Sequence, residues 1–404
     1  MVGGYSRPRR QKYTKESAGN TSLILLANMS EFEKLKDKSL ALFFTTGISL
    51  KTWHDIGMID REVAIYNKMS RYFKRIYFFT YGGEEDLKFK NYIADNITII
   101  PKKYIQNSLL YSFMIPFIHH KILKDIDILK TNQMWGSWSA VLAKLIYRKK
   151  LIVRTGYMLS IHYAKRNPKS RINWLMKIIE MIAYKLADAI ITTSQTNFEY
   201  VERNYSPSGT HVLIPNYIET EVFKPMDIAK KKGTICFIGR LTKQKNLFTL
   251  LEALKGLPYT LTIIGSGEQE EQLKKFAAEN KIEANFLGNV PNHELPKILN
   301  QHELFILPSL WEGMPKTLLE AMACGMPVIG TRIDGTKEVI EHGRNGILCS
   351  TNTDSIREAI VTLMEDRELR QRLGENARKR IVEDYSLANL ADKELRLMEE
   401  LVYD

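Results

Sequence analysis

The sequence LFILPSLWEGMPKTLLEAMACGMPVIGT, residues 304–331, reads as a strand, a turn, a helix and a second strand. Apolar runs at 304–309 and 326–331 flank a segment of good helix formers, and the Gly-x-Pro sequence at 325–327 is the usual signal that ends a helix. Short, uninterrupted apolar strands joined through a helix are typical of a parallel sheet that is buried on both faces. This stretch therefore predicts a β–α–β unit and an α/β fold.

The same alternation of strands and helices recurs in two series along the chain. Residues 39–220 and residues 221–385 each predict a doubly wound, Rossmann-like domain. Residues 386–404 are expected to form a C-terminal helix that packs back towards the first domain, and the polar, basic start of the chain predicts a flexible arm over residues 1–38. Because ligands of such sheets bind beyond the carboxyl ends of the strands, we expect the site in a central cleft between the two domains.

Length and composition are those of a globular protein. The chain has 404 residues, of which 44% are hydrophobic, and this is enough for two sizeable cores. The longest nearly unbroken apolar run, residues 109–118, is about half the length that spans a membrane. The three cysteines form no CxxC motif or Cys/His cluster, which indicates a reducing compartment. We therefore expect a cytoplasmic protein, soluble or bound to the inner face of the cell membrane.

The positive charge is concentrated in the first half of the chain. Residues 1–220 contain 33 Lys and Arg against 18 Asp and Glu, whereas the remaining residues contain 25 against 28. Such an excess suits an anionic partner, which could be a membrane surface, a phosphate-bearing acceptor or nucleic acid. Surface lysines without a partner are the alternative. The sequence has no RNP-like or helix-turn-helix signature, so we expect no nucleic-acid partner.

Two glutamates eight residues apart, Glu312 and Glu320, raise the question of an acid–base pair, a metal site or two separate ligand contacts. Glu312 lies in the turn, and Glu320 lies more than one turn into the predicted helix. A shared proton or metal requires carboxylates within a few ångström, and the sequence supplies no Asp/His cluster beside them. The free amides of residues 316–318 would face a phosphate at the helix start. The pattern indicates contacts to two parts of one extended anionic ligand. The alternative is that Glu312 caps the helix and Glu320 is a solvated helix residue.

Two other strand ends carry candidate residues. In TICFIGRLTKQKNL, Gly239, Arg240 and Lys245 follow a predicted strand, and two cations at this spacing can flank a diphosphate. Solvated surface residues are the alternative there. Residues 265–267, Gly-Ser-Gly, also follow a strand, but the acidic turn after them would repel phosphate. They predict a tight turn lining the cleft.

Several motifs in order resemble the retaining nucleotide-sugar glycosyltransferases of family GT4, which have the GT-B fold. These motifs are VLIPNYIE (212–219), FIGRLTKQKN (237–246), GNVPNHEL (288–295), PSLWEGMPKTLLEAMACGMPVIGT (308–331) and DGTKEVIEHGRNGILC (334–349). The resemblance extends over residues 40 to 400 and is closest in the second half. It implies two Rossmann-like domains facing a central cleft.

The resemblance also implies roles for residues at matching positions. Glu312 would contact the transferred sugar, Arg240 and Lys245 the diphosphate, and Glu320 the ribose hydroxyls. Further donor contacts are implied for Gly47, Gly239, Asn289, Val290, Gly313, Met314, Lys316, Thr317 and Leu318. The family typically needs no metal and no cofactor, because cations and the helix start neutralise the leaving diphosphate.

The first domain departs from the family pattern at two places. Many relatives have a histidine at the end of the strand that here reads LIVRTGY, so Arg154, Tyr157 and, further on, His162 are the candidates for a catalytic or acceptor-binding role. The usual paired glycine of the first loop is reduced to Gly47 followed by Ile48.

The expected activity is transfer of a sugar from a nucleoside-diphosphate sugar to an acceptor hydroxyl with retention of configuration. The acceptor is expected to be a lipid-linked saccharide of a cell-surface polysaccharide or glycolipid pathway, reached while the basic, apolar segments 109–124 and 166–186 contact an anionic membrane. The alternatives are a nucleotide-sugar epimerase with the same fold and a catalytically dead nucleotide-binding scaffold.

Overall fold

The computed structural model describes residues 32–166 and 172–403, and within them the chain forms two parallel β-sheets. The first sheet has the strand order β3-β2-β1-β4-β5-β6-β7. Its strands are β1 (Ser39–Phe43), β2 (Arg75–Phe79), β3 (Ile97–Ile100), β4 (Ile128–Thr131), β5 (Lys150–Thr155), β6 (Ala189–Thr192) and β7 (Thr210–Leu213). Its helices are α1 (Leu50–Asp55), α2 (Ile59–Ser70), α3 (Ser108–Ile118), α4 (His120–Leu123), α5 (Ser137–Tyr147), α6 (Leu159–Arg166), α7 (Ile172–Leu186) and α8 (Gln195–Tyr205).

The second sheet repeats this plan with the order β10-β9-β8-β11-β12-β13. Its strands are β8 (Thr234–Ile238), β9 (Thr260–Ile264), β10 (Ala284–Gly288), β11 (Leu304–Leu307), β12 (Val328–Thr331) and β13 (Ile347–Cys349). The helices of this half are α9 (Leu247–Leu254), α10 (Glu270–Glu279), α11 (Leu295–Asn300), α12 (Lys316–Ala323), α13 (Asp334–Lys337), α14 (Thr353–Glu365) and α15 (Arg367–Asp384), and α16 (Leu387–Tyr403) follows them. No helix among the described residues is long and apolar enough to cross a membrane.

The predicted β–α–β unit is present. It consists of β11, α12 and β12, and Phe305 pairs with Val328 in the parallel register of the two strands. All four residues of each strand are buried, which explains why they read as unbroken apolar runs. The helix ends before Gly325, whose φ of +70° is costly for other residues. The α/β prediction, with two doubly wound sheets, is therefore confirmed.

Strand order reverses once in each sheet, between β1 and β4 and between β8 and β11. At such a point the connections leave towards opposite faces and open a crevice beyond the carboxyl ends of the strands. The loops after β1, β8 and β11, together with α12, carry most of the candidate site residues.

The chain crosses between the two halves at two adjacent points. Ile218 forms a bridge with Ser386, and the Ile218 amide donates to the Tyr385 carbonyl over 2.8 Å. After the second crossing α16 returns to the first half, where Leu390, Leu395 and Met398 are buried in its core.

The start of the first domain differs from the expectation of a flexible arm over residues 1–38. Phe32 and Leu35 are buried in the first core, and Phe32 packs edge-on against Tyr72 at a centroid distance of 5.2 Å. Residues 32–38 therefore belong to the folded domain, because two apolar side chains anchor a segment that is otherwise charged. Residues 1–31, which make up most of the predicted arm, lie outside the described residues, as do residues 167–171 of the predicted membrane-contacting segment 166–186.

Candidate active site

A cavity of about 700 Å³ lies between the two sheets, beyond the carboxyl ends of their strands. The predicted site residues that line it are Arg154, Tyr157, His162, Gly239, Arg240, Lys245, Glu312, Gly313, Met314, Lys316 and Thr317. Four others, Gly47, Asn289, Val290 and Leu318, do not line it, and neither does Glu320. The cavity thus joins the phosphate and sugar candidates of the second domain to the acceptor candidates of the first.

Lys245 and Glu312 contact each other directly. Lys245 ends a short 3₁₀ turn after β8, and its Nζ forms an ion pair with Glu312 Oε1, which also accepts a hydrogen bond from Ser309 Oγ over 2.6 Å. Both charged side chains are largely buried. Each is therefore the counterion of the other, and an anionic ligand that contacts Lys245 would free Glu312 for a second part of the same ligand.

The start of α12 is open towards the cavity at two of the three predicted amides. Pro315 is the N-cap residue, and the amides of Lys316 and Thr317 lie in the first turn. The Leu318 amide instead donates to the Pro315 carbonyl over 3.2 Å. The prediction of three free amides was therefore wrong for Leu318, because the helix closes its first turn one residue earlier than expected.

The loop that carries Glu312 needs a glycine in a neighbouring helix. A Cβ at Gly335, in α13, would overlap the carbonyl oxygen of Gly313. Gly335 thus allows α13 to approach the 312–314 turn closely enough to shape the cavity wall.

Glu320 is fully buried at the nucleoside end of the predicted site. Its Oε1 accepts hydrogen bonds from Arg61 Nη1 over 3.2 Å and from Asn292 Nδ2 over 3.1 Å. Its Oε2 has no hydrogen-bond partner among the described residues. Glu312 and Glu320 therefore have separate partners.

Arg61 and Glu62, on α2, were missed by the sequence analysis although both line the cavity. Glu62 Oε1 accepts from Lys316 Nζ over 2.8 Å, so two neighbouring residues of the first domain form ion pairs with two residues of α12. The segment REVAIYNKMS reads as an ordinary amphipathic helix, in which an Arg-Glu pair is indistinguishable from a solvated surface.

Asn216 links the wall of the first domain to the second. Arg154 Nη2 donates to Asn216 Oδ1 over 2.9 Å, and Asn216 Nδ2 donates to the Met314 carbonyl over 2.9 Å. The rings of Tyr157 and His162 lie 5.2 Å apart on the same side of the cavity. All three candidates of the first domain thus face the Glu312 turn.

Most of the charged side chains that line the cavity are cations. Five cations line it (Arg61, Arg154, Arg240, Lys245 and Lys316) against two carboxylates (Glu62 and Glu312). Burial alone would raise the pKa of Glu62, but Lys316 and Arg61 lower it to about 2. Burial lowers the pKa of Lys316 in spite of its carboxylate partner. Such a surplus of charge in a partly desolvated space favours a ligand with two or more negative charges.

The candidates for base binding lie behind this cavity. Asn289 and Val290 follow β10, and the Asn289 Oδ1 atom is 3.1 Å from Ser266 Oγ. The Gly265–Gly267 turn packs on the loop after β8 and does not line the cavity, unlike the expectation. Gly47, with a φ of +85°, lies in the loop between β1 and α1 and also outside the cavity lining.

Two family models match the chain. The model described as Glycosyl transferases group 1 matches residues 218–380, and the model described as Glycosyltransferase Family 4 matches residues 73–222.

Similar proteins and structures agree with these matches. An uncharacterised glycosyltransferase of Methanocaldococcus jannaschii is 28% identical over 75% of this chain and 82% of its own length. The UDP-Gal:alpha-D-GlcNAc-diphosphoundecaprenol alpha-1,3-galactosyltransferase of Escherichia coli is 26% identical over 68% of this chain and 76% of its own. The structure of Anabaena HepE in complex with UDP superposes with a TM-score of 0.72 and 17% identity, covering 90% of this chain and all of that one. The two family models together span residues 73–380 of a chain with the two-sheet GT-B architecture, and this protein therefore belongs to the group 1, family 4 glycosyltransferases.

Proposed function

We propose that this protein transfers a sugar from a nucleoside-diphosphate sugar to a hydroxyl of a lipid-linked or growing cell-surface saccharide, with retention of configuration. The observation that carries the proposal is the electropositive cavity, in which Glu312, Lys245 and the start of α12 share one wall. UDP, the ligand named for Anabaena HepE, is of the chemical class that this charge pattern suits.

Donor binding exchanges the partners of an existing ion pair. The diphosphate binds the side chains of Lys245 and Arg240 and the amides of Lys316 and Thr317. Because Lys245 then pairs with phosphate and no longer with Glu312, the sugar hydroxyls can donate to Glu312. Glu320 accepts from the ribose hydroxyls, and Asn289 and Val290 lie beside the base. The carboxylates thus hold the sugar and the ribose at opposite ends of one donor.

The reaction breaks the bond between the sugar carbon and the diphosphate oxygen. The acceptor hydroxyl attacks from the face that the diphosphate leaves and gives its proton to the departing phosphate oxygen, so the configuration is retained without a protein nucleophile. The cations of the cavity stabilise the negative charge that develops on the leaving group, which is the role that a metal ion has in other transferases. We therefore propose a metal-independent enzyme without a cofactor.

Residues of the first domain would bind the acceptor. Arg154, Tyr157 and His162 face the Glu312 turn across the cavity, where an incoming hydroxyl must approach. The name of the Escherichia coli relative specifies an acceptor linked to diphosphoundecaprenol, and this supports a lipid-linked acceptor for this chain.

Membrane contact is supported by one face of the first domain. Of the 21 large hydrophobic side chains that are exposed among the described residues, 11 lie on α3, α5 and α7. Helix α5 contacts both α3 and α7, so these side chains share one side of the sheet. Exposed basic residues lie among or beside them, including Lys121, Lys124, Arg148 and Lys177. This combination favours the inner face of a membrane with anionic lipids.

Transfer assays test the proposed activity. The protein is incubated with a panel of radiolabelled nucleoside-diphosphate sugars, with and without lipid-linked saccharides extracted from bacterial membranes, and label in the lipid fraction is counted. Glu312→Gln should lower transfer at least about 100-fold, whereas Glu341→Gln, on the exposed surface of the same domain, should not. An isomerised sugar formed without acceptor would identify an epimerase, and an inverted product anomer by NMR would refute retention.

Vesicle sedimentation tests the membrane contact. Trp174→Ser and Leu175→Ser should each reduce binding to vesicles of phosphatidylglycerol and phosphatidylcholine, because both side chains are exposed on α7. Tyr403→Ser, which removes a side chain of intermediate exposure (55%, against 70% for Trp174 and 47% for Leu175) on α16, is the control. Equal binding of wild type to pure phosphatidylcholine would contradict the electrostatic part of the proposal.

A further inference from the structure

The two halves of the proposed donor site differ in accessibility. The half for the diphosphate and the sugar is an open cavity lined by Arg240, Lys245 and Glu312. In the nucleoside half, Glu320 has 0% exposure and Asn292 has 4%. A carboxylate that is to receive two ribose hydroxyls is therefore closed to solvent in this state of the protein.

The cover over the nucleoside half is a segment of the first domain, residues 57–61. At its start, the Gly57 carbonyl accepts a hydrogen bond from the Asn292 amide over 3.0 Å, and a Cβ at Gly57 would lie 3.1 Å from Pro291 Cα. At its end, Arg61 reaches Glu320. The 57–61 segment thus lies against the loop that follows Asn289 and Val290.

Arg61 occupies one of the two oxygens of the carboxylate that the nucleoside needs. Its side chain is 12% exposed, and burial alone would lower its pKa, but Glu320 and Glu62 raise it, so the guanidinium stays charged. An isolated buried carboxylate at Glu320 would be very costly, and Arg61 supplies its counterion. The pairing is incomplete, since Glu320 Oε2 is buried without a hydrogen-bond partner among the described residues. A ribose diol offers the missing donors.

Two further contacts hold the end of the 57–61 segment in place. Glu62, next to Arg61, pairs with Lys316 at the start of α12, and Tyr217 Oη donates to the Arg61 carbonyl. The Glu62–Lys316 pair joins the first turn of α2 to the helix that carries Glu320, and Tyr217 joins that turn to the segment after β7. The nucleoside cannot reach Glu320 while α2 stays where it is.

We propose that the 57–61 segment is a displaceable cover of the nucleoside subsite, and that Arg61 competes with the ribose of a nucleoside diphosphate for Glu320. This inference rests on the proposed function, because it takes the Glu320 end of the cleft as the nucleoside site. A ligand that binds only those molecules in which this segment has moved away has an apparent affinity equal to its intrinsic affinity multiplied by the fraction of such molecules. Weakening the cover should therefore tighten nucleotide binding, which is the opposite of the effect expected for a direct ligand of the donor.

Calorimetry with uridine, guanosine and adenosine diphosphates tests the role of Arg61. Arg61→Gln should bind the preferred nucleotide about three- to tenfold more tightly than wild type. Arg71→Gln removes an exposed cation at the end of the same helix and should leave the Kd unchanged. Weaker or unchanged binding by Arg61→Gln would overturn the proposal, and weaker binding would make Arg61 a ligand of the donor.

A reversible cross-link between the 57–61 segment and the second domain gives an independent test. Asp60 and His293 are exposed on the two sides of the contact, with Oδ2 and Nδ1 3.7 Å apart. In the Asp60→Cys/His293→Cys variant, a short bis-thiosulfonate reagent should link them, while the three natural cysteines are buried and should not react. The linked protein should lose nucleotide binding, and a reductant should restore it. The Asp60→Cys single variant treated with the same reagent is the control.

The outcomes distinguish failure of the proposed cover from failure of the proposed function. Equal nucleotide binding by the linked and the reduced protein refutes the cover but leaves the proposed function intact. Absence of binding of any nucleoside diphosphate to wild type, or to the reduced variant, refutes the proposed donor site and the cover together.

Discussion

A buried ion pair holds the C-terminal helix to the first domain. Lys130, on β4, is 1% exposed, and its Nζ is 2.9 Å from Oε2 of Glu394, which lies on α16 and is 2% exposed. Nζ is also 3.2 Å from Tyr66 Oη and 4.9 Å from the centroid of that ring. Burial alone would lower the pKa of Lys130, but Glu394 and Tyr66 raise it. The lysine is therefore charged in the folded protein.

Removing one partner should be far more damaging than removing both. Glu394→Gln or Lys130→Met leaves a charge buried without its counterion, and such a change costs about 3–5 kcal/mol of unfolding free energy. For a domain of this size, that corresponds to a decrease in Tm of about 6–20 °C. The double variant Lys130→Met/Glu394→Gln buries no charge and should lie within about 1 kcal/mol of wild type.

Urea unfolding followed by tryptophan fluorescence measures this difference. Trp53, Trp135, Trp138 and Trp174 are in the first domain, so the signal reports mainly on it. Lys74→Met removes an exposed lysine and should change stability by less than about 0.5 kcal/mol. A double variant as unstable as either single variant would refute the reasoning, because the loss would then come from packing and not from an unpaired charge.

Three further changes follow from the site. The pKa of Glu62 is lowered to about 2, so its charged side chain contributes up to about 3 kcal/mol to the free energy of unfolding above pH 4.5. This contribution is lost as the pH falls towards 2. Glu62→Gln should therefore flatten the acid limb of a plot of Tm against pH. Burial, with Asp60 and Glu320 nearby, raises the pKa of Glu219 to about 7, so Glu219→Gln should raise the Tm at pH 8 and leave it unchanged at pH 4. Gly335→Ala should push the backbone of the 312–314 turn away and lower both the Tm and kcat in transfer assays; an unchanged kcat would contradict the close approach.

Local sequence patterns predicted the helices and strands well, but they predicted poorly what happens at the ends of the folded segments. The β–α–β unit at 304–331 could be predicted because uninterrupted apolar strands and a glycine stop signal are local properties. The burial of Phe32 and Leu35 could not, since two apolar residues in a charged segment have no period. The hydrogen bond of the Leu318 amide could not be predicted either, because it depends on the geometry of the helix start and not on which residue stands at position 318.

The sequence alone determined the two-domain α/β architecture and the family, because strand and helix periodicity and short motifs such as that of Glu312 and Glu320 survive without knowledge of any long-range contact. Only the tertiary structure decided how those residues are paired. The partners of Glu320, Lys316 and Glu394 are Arg61, Glu62 and Lys130, each more than 250 residues away along the chain. Ion pairs at such separations depend on how two finished domains face each other, and no local pattern encodes that.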